Sequence, residues 1–217
     1  MKNMDQIELL KKGALELGVA LDDSQAAAFL TYLRELKVWN KKINLTAIED
    51  EKDIIIKHFL DSLTPFGLFS EVRSVLDMGA GAGFPGIPLK IAMPELRLTL
   101  LDSVEKKVNF MKHIIRTLGL KGAEAIAGRA EAPDLAYRLA GSFDCVISRA
   151  FTELPAFMTL GLPYLRPGGM LLAMKGPAVA EEINALGVMK GVLPPESFEV
   201  AVPFSDRKTT LVVIRKV

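Results

Sequence analysis

The glycine-rich run at residues 77–86, Asp-Met-Gly-Ala-Gly-Ala-Gly-Phe-Pro-Gly, is the part of the sequence with the clearest chemical use. It follows an apolar stretch that is typical of the end of a buried strand, and a helix-like stretch, 87–92, comes after it. Glycine lets the backbone turn sharply and lets a ligand come close where a Cβ atom would collide. The N-terminus of the following helix offers unpaired N–H groups to the polar end of such a ligand.

An acid stands at a matching position after the glycine run. Asp102 lies 25 residues beyond Asp77, at the end of the next strand-like stretch, 96–101. In nucleotide-binding α/β folds, an acid at this place accepts hydrogen bonds from ribose hydroxyls. The glycine run and Asp102 together predict a site for a ligand that contains adenosine.

The glycine run fits two different motifs. Gly81, Gly83 and Gly86 satisfy the G-x-G-x-x-G fingerprint of dinucleotide-binding proteins. Read from Asp77 through Gly79, Gly81 and Gly83, the run instead resembles the first motif of class I S-adenosylmethionine-dependent methyltransferases. In that motif the acid interacts with the methionine ammonium group, directly or through water. A negatively charged pyrophosphate has no such use for Asp77, so the methyltransferase is favoured and an NAD-dependent dehydrogenase is the alternative.

Composition limits the classes to which the chain can belong. Its 217 residues, 50% hydrophobic and 24% charged, suit one substantial domain with a packed core. The apolar runs are too short to span a membrane, and the N-terminus lacks the apolar block of a signal peptide. The single cysteine, Cys145, excludes an internal disulfide, which fits a reducing compartment. We therefore expect a cytoplasmic protein that is not bound to a membrane.

The elements that must position these residues follow from the hydrophobic pattern. Residues 1–65 carry apolar residues at three- to four-residue spacing, which predicts helices, and from residue 72 onward strand-like runs alternate with helical ones. The predicted strands are 74–78, 97–101, 123–127, 144–148, 170–174 and 211–215. The predicted helices between them are 86–93, 104–118, 131–139, 153–161 and 178–189.

This alternation predicts an α/β fold with a mostly parallel sheet that is covered on both faces. A last strand that follows the long segment 190–210 resembles the antiparallel final strand of methyltransferase sheets. We therefore predict the Rossmann-like fold of class I S-adenosylmethionine-dependent methyltransferases. Residues 1–65 form an N-terminal helical extension, and residues 66–217 form the methyltransferase domain as one compact unit.

Short motifs occur in one order along the chain, from residue 39 to the final strand. They are Trp39–Thr46 (WNKKINLT), His58–Leu63 (HFLDSL), Gly79–Pro88 (GAGAGFPGIP), Leu101–Ser103, Lys106-Lys107, Gly128–Glu131 (GRAE), Ser148–Ala150 (SRA) and Lys175-Gly176. The chain in this respect resembles the RsmG (GidB) family, which methylates N7 of a specific guanine in the 530 loop of 16S ribosomal RNA. The loop with its Phe-Pro-Gly-Ile-Pro continuation is the most specific part of the resemblance.

The resemblance implies a site for S-adenosyl-L-methionine at the carboxyl ends of the strands, where open α/β sheets bind their ligands. Asp102 would hold the ribose, Ala130 and Glu131 would flank the adenine, and Arg149 would close the site after the fourth strand. The predicted cofactor-binding residues are Asp77, Gly79, Gly81, Phe84, Asp102, Ala130, Glu131 and Arg149. For Arg149, a salt bridge to Asp144 or Glu153 is the structural alternative.

The implied reaction needs no general base, because guanine N7 presents an in-plane lone pair and carries no proton at neutral pH. We therefore predict no catalytic side chain, only the alignment of the reactants. Cys145 and Phe151 are expected in the core, and His58 is expected to pack or cap locally. Neither His58 nor His113 has metal-ligand spacing with a partner, so no metal is predicted.

RNA would be held largely through its phosphates. Lys175, Arg207 and Lys208 are the predicted RNA contacts near the site. The implied partner is 16S rRNA or the small ribosomal subunit, and we expect the chain to be a monomer. A methyltransferase with another substrate, the dehydrogenase and a non-catalytic RNA-binding module remain as alternatives.

Overall fold

The chain, as a computed structural model, is described over residues 5–176, 179–186 and 190–217. The strands are β1 (Ser74–Met78), β2 (Arg97–Asp102), β3 (Ala123–Ala127), β4 (Phe143–Arg149), β5 (Leu165–Lys175), β6 (Glu196–Ala201) and β7 (Lys208–Arg215). Within the described residues they form one sheet of seven strands in the order β3-β2-β1-β4-β5-β7-β6. Strands β1 to β5 are parallel to one another, and β7 is antiparallel to β5 and β6. The predicted fold class is confirmed.

The order of the sheet places a topological switch point at β1. Asp77, near the end of β1, is in register with Leu100 of β2 on one side and with Ile147 of β4 on the other. The connection from β1 leads to β2 on one side, whereas the connection from β3 returns past β1 to β4 on its other side. This reversal opens a crevice beyond the carboxyl ends of the strands. The glycine run lies in this crevice.

One strand lies in a segment for which the sequence predicted none. Strand β6 occupies Glu196–Ala201, inside the long segment 190–210, at the edge of the sheet beside β7. Its residues are exposed or at most half-buried. An edge strand with so little buried apolar surface has a weak hydrophobic pattern, which is why the sequence did not indicate it.

Helices cover the sheet and precede it. They are α1 (Gln6–Glu16), α2 (Asp23–Ile43), α3 (Glu51–Ile54), α4 (Asp61–Leu63), α5 (Gly86–Ala92), α6 (Glu105–Thr117), α7 (Pro133–Leu139), α8 (Leu154–Gly161) and α9 (Ala180–Asn184). Of the helix predicted at 178–189, residues 178 and 187–189 lie outside the described residues, and α9 is shorter than the remainder. Over the part of the chain that the structure describes, no helix is both long enough and apolar enough to cross a membrane.

The long helix α2 has well-defined ends. The side chain of Asp22 accepts from the N–H of Gln25 at 2.7 Å, and the Gln25 side chain accepts from the N–H of Asp22 at 2.9 Å. This reciprocal capping box satisfies two N–H groups that the first turn leaves unpaired. Asn44, with φ of +50°, ends the helix in a left-handed conformation.

The helical leader, residues 5–65, packs directly on the sheet. The largest apolar cluster runs from Leu10 and Phe29 of the leader to Val75 and Leu100 of the sheet. The hydroxyl of the buried Tyr32 in α2 donates to the carbonyl oxygen of Ala82 in the glycine run. The division of the chain at residue 65 stays a prediction, and the two parts share one core.

A π-helical segment, Ile55–Leu60, joins α3 to α4 without a break. The wider turn of a π-helix is uncommon and is found frequently at functional sites. Here the segment carries His58, and Asp61 follows it directly. Both side chains point towards the carboxyl end of β4, as described below.

Candidate active site

Three glycines give the loop after β1 a backbone path that other residues rarely adopt. Gly79, Gly81 and Gly83 have φ values of +73°, +60° and +93°, in a region that residues with a Cβ atom avoid. The N–H of Gly79 donates to the carbonyl oxygen of Leu101 at 2.8 Å. The N–H of Gly81 donates to Oδ2 of Asp102 at 2.8 Å. These bonds tie the loop to the carboxyl end of β2.

A cavity of about 500 Å³ opens beside this loop, and we refer to it as the glycine-loop cavity. Its lining includes Gly79, Asp102, Ala130, Glu131 and Phe151. The volume lies within the range of small-molecule sites, about 300–1,000 Å³. Four of the predicted cofactor-binding residues, all of these except Phe151, are therefore brought together around one cavity.

Asp102 is held in place by backbone donors on both of its oxygens. Oδ1 accepts from the N–H of Val104 at 2.8 Å, and Oδ2 accepts from Gly81. The carboxylate still lines the cavity. Because a carboxylate offers about four lone-pair sites, capacity remains for hydroxyl donors of a ligand. The contact of Asp102 with a ribose stays a prediction.

Phe151 was expected in the core, and this expectation is wrong. The residue is 38% exposed, and its ring lies against Gly79, so that a Cβ atom at position 79 would overlap the ring. The preceding residue, Ala150, has φ of +53°, an uncommon value for alanine. This turn directs Phe151 across the glycine loop instead of into the core.

Asp77 lies beneath the glycine loop, and among the described residues it is not part of the cavity lining. Its carboxyl group is fully buried; Oδ2 accepts from the N–H of Gly86 at 2.8 Å, while Oδ1 has no partner within the described residues. Burial raises the pKa of Asp77 to about 7, and the Gly86 hydrogen bond and the charge of Arg149 oppose this rise. Its contact with the methionine ammonium stays a prediction.

A second cavity, of about 570 Å³, lies between the leader and the carboxyl ends of β4 and β5. We refer to it as the leader-side cavity. It is lined by Ile48, Lys57, His58, Asp61, Arg149, Ala150, Met174, Lys175, Gly176, Asp206, Arg207, Lys208 and Thr209. Ala150 also lines the glycine-loop cavity, so the two cavities adjoin at the end of β4.

Arg149 lines the leader-side cavity, and its ion-pair partner is Asp61 of the leader. Nη1 lies 2.9 Å from Oδ2 of Asp61, and it also donates to the carbonyl oxygen of Lys57 at 3.3 Å. The alternative salt bridge to Asp144 or Glu153 is wrong, because the end of β4 faces the leader. Asp144 instead pairs with Arg166 at 2.5 Å.

His58 joins the same network as a neutral ring. Nη2 of Arg149 lies 3.2 Å from Nδ1 of His58, and since Arg149 can only donate, Nδ1 accepts. The other nitrogen, Nε2, then carries the hydrogen and donates to Oγ1 of Thr46 at 2.7 Å. Burial, with the charges of Arg149 and Arg207, lowers the pKa of His58 to about 3. Local packing of His58 was expected, but its contact with Arg149 was not.

Phe84 is buried behind Arg149 instead of lining the glycine-loop cavity. Its ring stacks on His58 with centroids 4.7 Å apart, and Cζ of Arg149 lies 5.0 Å from its centroid. Tyr32 packs at 5.4 Å on Phe84. Neither Phe84 nor Arg149 is in the lining of the glycine-loop cavity, and their predicted contacts with the cofactor stay predictions.

The three predicted RNA contacts all line the leader-side cavity. Lys175 donates to Oε2 of Glu182 at 2.8 Å and to the carbonyl oxygen of Thr152 at 2.7 Å. Lys208 donates to Glu199 at 2.9 Å, and this contact raises its pKa. Arg207 is exposed at the rim. Their contact with RNA stays a prediction.

Cys145 was expected in the core, and no metal site was expected. Cys145 is fully buried in β4, where burial raises the pKa of its thiol, so it is a core residue as expected. Among residues 5–176, 179–186 and 190–217, no group of three His, Cys, Asp or Glu side chains is placed to hold a metal ion.

The sequence missed the partners that position Arg149. Thr209 at the start of β7 donates to Oδ1 of Asp61, so Asp61 holds β4 and β7 at once. Asp61 lies 88 residues from Arg149 and 148 from Thr209. The motif at 58–63 was noticed only through the resemblance, and no local spacing indicates these contacts.

The strand order, the glycine loop after β1 and the acid at the end of β2 define the class I S-adenosylmethionine-dependent methyltransferase fold. Solved structures agree with this class. The cofactor-bound Rv0187 from MTB superposes with a TM-score of 0.62 at 18% identity, over 98% of this chain and 99% of that chain. The O-methyltransferase from Bacillus cereus, in complex with SAH, gives a TM-score of 0.60 at 17% identity, over 96% and 97%.

Sequence comparison identifies the family within this class. The GidB family, described as rRNA small subunit methyltransferase G, matches residues 25–197. The protein named ribosomal RNA small subunit methyltransferase G is 45% identical in Geobacter sp. (strain M21), over 95% of this chain and 96% of that protein. The one from Alkaliphilus metalliredigens is 41% identical, over 99% and 92%. The chain belongs to the ribosomal RNA small subunit methyltransferase G family.

Proposed function

We propose that the chain transfers a methyl group from S-adenosyl-L-methionine to N7 of a specific guanine in the 530 loop of 16S ribosomal RNA. The observation that carries this proposal is the meeting of two cavities at Ala150. One cavity has an acid and a glycine loop that suit a nucleoside, and the other is lined by five basic residues. A donor and an RNA base placed on either side of Ala150 would meet at the end of β4.

The residues of the glycine-loop cavity fit the proposed cofactor. Asp102 would accept from the ribose hydroxyls, and Ala130 and Glu131 would flank the adenine. Gly79 allows the ligand to lie close to the backbone, since the residue has no Cβ atom. When bound, S-adenosylmethionine supplies an electrophilic methyl group on its sulfonium sulfur.

The proposed reaction requires the protein to align guanine N7 with the methyl group of the cofactor, and it requires no proton transfer. Guanine N7 is unprotonated at neutral pH, so no side chain has to act as a base. The side chains of His58 and Lys175 in the leader-side cavity are already engaged with protein partners. Holding the base against the methyl group supplies the main contribution, up to about 7–11 kcal/mol for ideal alignment.

The proposed partner is 16S rRNA or the small ribosomal subunit, bound by the chain as a monomer in the cytoplasm. Membership of the family supports the RNA substrate. The basic rim of the leader-side cavity supports contacts with phosphates, and such contacts would make affinity fall steeply with salt. Arg207 and Lys208 lie at this rim.

The decisive experiment uses cells with and without this chain. Sodium borohydride followed by aniline cleaves RNA at 7-methylguanosine, so 16S rRNA from complemented cells should be cleaved in the 530 loop. RNA from the deletion strain should not be cleaved there. An identical cleavage signal in both strains would overturn the proposed target, and the variant Asp102→Ala serves as the inactive control.

A further inference from the structure

Some charged side chains of the leader-side cavity form ion pairs within the protein, and others do not. Four basic residues are paired with acids: Arg149 with Asp61, Lys175 with Glu182, Lys208 with Glu199 and Lys57 with Asp53. Two charged side chains of the lining, Asp206 and Arg207, form no hydrogen bond or ion pair with any described residue. The cavity therefore offers a ligand one unused carboxylate and one unused guanidinium.

The second acid of the cavity is not available to a ligand in the same way. Asp61 accepts from Arg149 with Oδ2 and from Thr209 with Oδ1. Among the described residues of the lining, Asp206 is consequently the acid whose two oxygens are both free.

Asp206 is also held at a defined place. It lies in the tight turn between β6 and β7, where the N–H of Val202 donates to the carbonyl oxygen of Arg207 at 2.9 Å. Oγ of Ser205 donates to the carbonyl oxygen of Val202 at 2.9 Å and accepts from the N–H of Arg207 at 3.2 Å. A turn ordered before binding loses less entropy when a ligand arrives.

The edges of guanine match this arrangement. The base carries N7 and O6 as acceptors on one edge and the donors N1–H and N2–H₂ towards the opposite side. If N7 faces the glycine-loop cavity across Ala150, the donor edge faces into the leader-side cavity. The donor edge requires an acceptor, and Asp206 is the free carboxylate there.

We propose that Asp206 accepts hydrogen bonds from N1–H and N2–H₂ of the target guanine and thereby selects guanine over adenine. Adenine also has an N7, but it presents a lone pair at N1, which a carboxylate repels. Arg207, next to Asp206, is free to meet a phosphate of the same strand. This inference rests on the proposed function, because it assumes a guanine whose N7 receives the methyl group.

The test compares two substrates that differ at one exocyclic group. Small subunits are assembled from ligated 16S rRNA that carries either guanine or hypoxanthine at the target position, and kcat/KM for methyl transfer is measured with radiolabelled S-adenosylmethionine. Hypoxanthine keeps N7, O6 and N1–H but lacks N2–H₂. We expect the wild type to prefer guanine by roughly 10- to 100-fold, as for the loss of a hydrogen bond to a charged group.

The variant Asp206→Ala should lower kcat/KM on guanine by more than this factor, because it loses the acceptor for both N1–H and N2–H₂. Its preference for guanine over hypoxanthine should fall to about one. Asp206→Asn, which keeps one acceptor oxygen, should give an intermediate preference. Glu71→Ala removes an exposed carboxylate away from both cavities and should behave as the wild type. The affinity of each variant for S-adenosylhomocysteine should stay unchanged, which shows that the variant is folded.

The outcomes separate the two proposals. A preference for guanine that is as large in Asp206→Ala as in the wild type overturns the role of Asp206 and leaves the proposed function standing. A wild type that methylates neither substrate overturns the proposed function, and the role of Asp206 is overturned with it.

Discussion

Asp61 of the helical leader and Arg149 at the end of β4 form an ion pair of 2.9 Å. The two side chains are only 15% and 17% exposed, and Thr209 holds the second oxygen of Asp61 from β7. The leader is thereby joined to the strand end at which the two cavities meet. Leader residues therefore line one side of the proposed acceptor site.

Replacing Asp61 by Asn should weaken the contact between the leader and the end of β4. The guanidinium of Arg149 would lose its charged partner while remaining largely buried, which is costly. We expect a loss of about 1–3 kcal/mol in the free energy of unfolding and roughly tenfold lower kcat/KM on small subunits. Affinity for S-adenosylhomocysteine should change little, because Asp61 lies outside the lining of the glycine-loop cavity. Urea unfolding and calorimetric titration measure these effects.

Asp53→Asn is the matched control for Asp61→Asn. It breaks an ion pair of similar length, 2.8 Å to Lys57, but these side chains are 43% and 32% exposed. Such exposed pairs contribute about 0–1 kcal/mol. Equal losses of stability in the two variants would contradict the special role of the Asp61–Arg149 pair.

Gly79→Ala should impair cofactor binding. The new methyl group would meet two obstacles, a φ of +73° that alanine disfavours and the ring of Phe151. We expect at least tenfold weaker binding of S-adenosylhomocysteine by calorimetry, since the displaced ring lines the same cavity.

Gly141→Ala is the control for Gly79→Ala. It distinguishes the effect of backbone strain from that of a steric clash with a neighbouring ring. Gly141 has a similar φ of +63°, but nothing lies within 4 Å of a Cβ atom placed there. Gly141→Ala should therefore cost about 1–2 kcal/mol of stability with unchanged affinity for the cofactor product. If both variants bind S-adenosylhomocysteine as the wild type does, the glycine-loop cavity is not the cofactor site.

Asp102→Ala should remove the acceptor for the ribose and release the loop. Gly81 and Val104 both lose the oxygen to which their N–H groups donate. We expect about 100-fold weaker binding of S-adenosylhomocysteine, which is within the range for the loss of one hydrogen bond to a charged group. Binding of NAD by the wild type without binding of S-adenosylhomocysteine would favour the dehydrogenase and overturn this expectation.

The part of the site that the sequence predicted consists of residues placed by local rules. Gly79 follows the buried strand β1 and Asp102 is the last residue of β2, and the carboxyl ends of parallel strands meet at one edge of the sheet. Ala130 and Glu131 follow the next strand in the same way. Position along the chain was therefore sufficient to bring these four residues to one cavity.

The part that the sequence did not predict depends on packing between distant segments. Phe84 belongs to the glycine run, yet its ring is buried by contacts with Tyr32 and His58 of the leader. Arg149 pairs with a residue 88 positions away. Such contacts follow from how the leader lies on the sheet, and hydrophobic periodicity carries no information about that placement.

The buried carboxyl group of Asp77 should make stability depend on pH. Its pKa rises from the ordinary 3.8 to about 7, mainly because burial disfavours the charged form. Between these values the unfolded chain has lost the proton of Asp77 while the folded protein still holds it. The contribution of Asp77 to the free energy of unfolding therefore falls as pH rises from about 4 to 7, by roughly 4 kcal/mol at most.

Asp77→Asn tests this contribution, because asparagine has no proton to lose and can still accept from the N–H of Gly86. Measured by urea unfolding, the stability of Asp77→Asn relative to the wild type should rise steadily between pH 4 and pH 7 and level off above. Glu71→Gln, at an exposed position, should show no such trend. A difference between Asp77→Asn and the wild type that is constant over this range would mean that Asp77 is ionised in the folded protein. The charge of Arg149 and the Gly86 hydrogen bond would then outweigh the cost of burial.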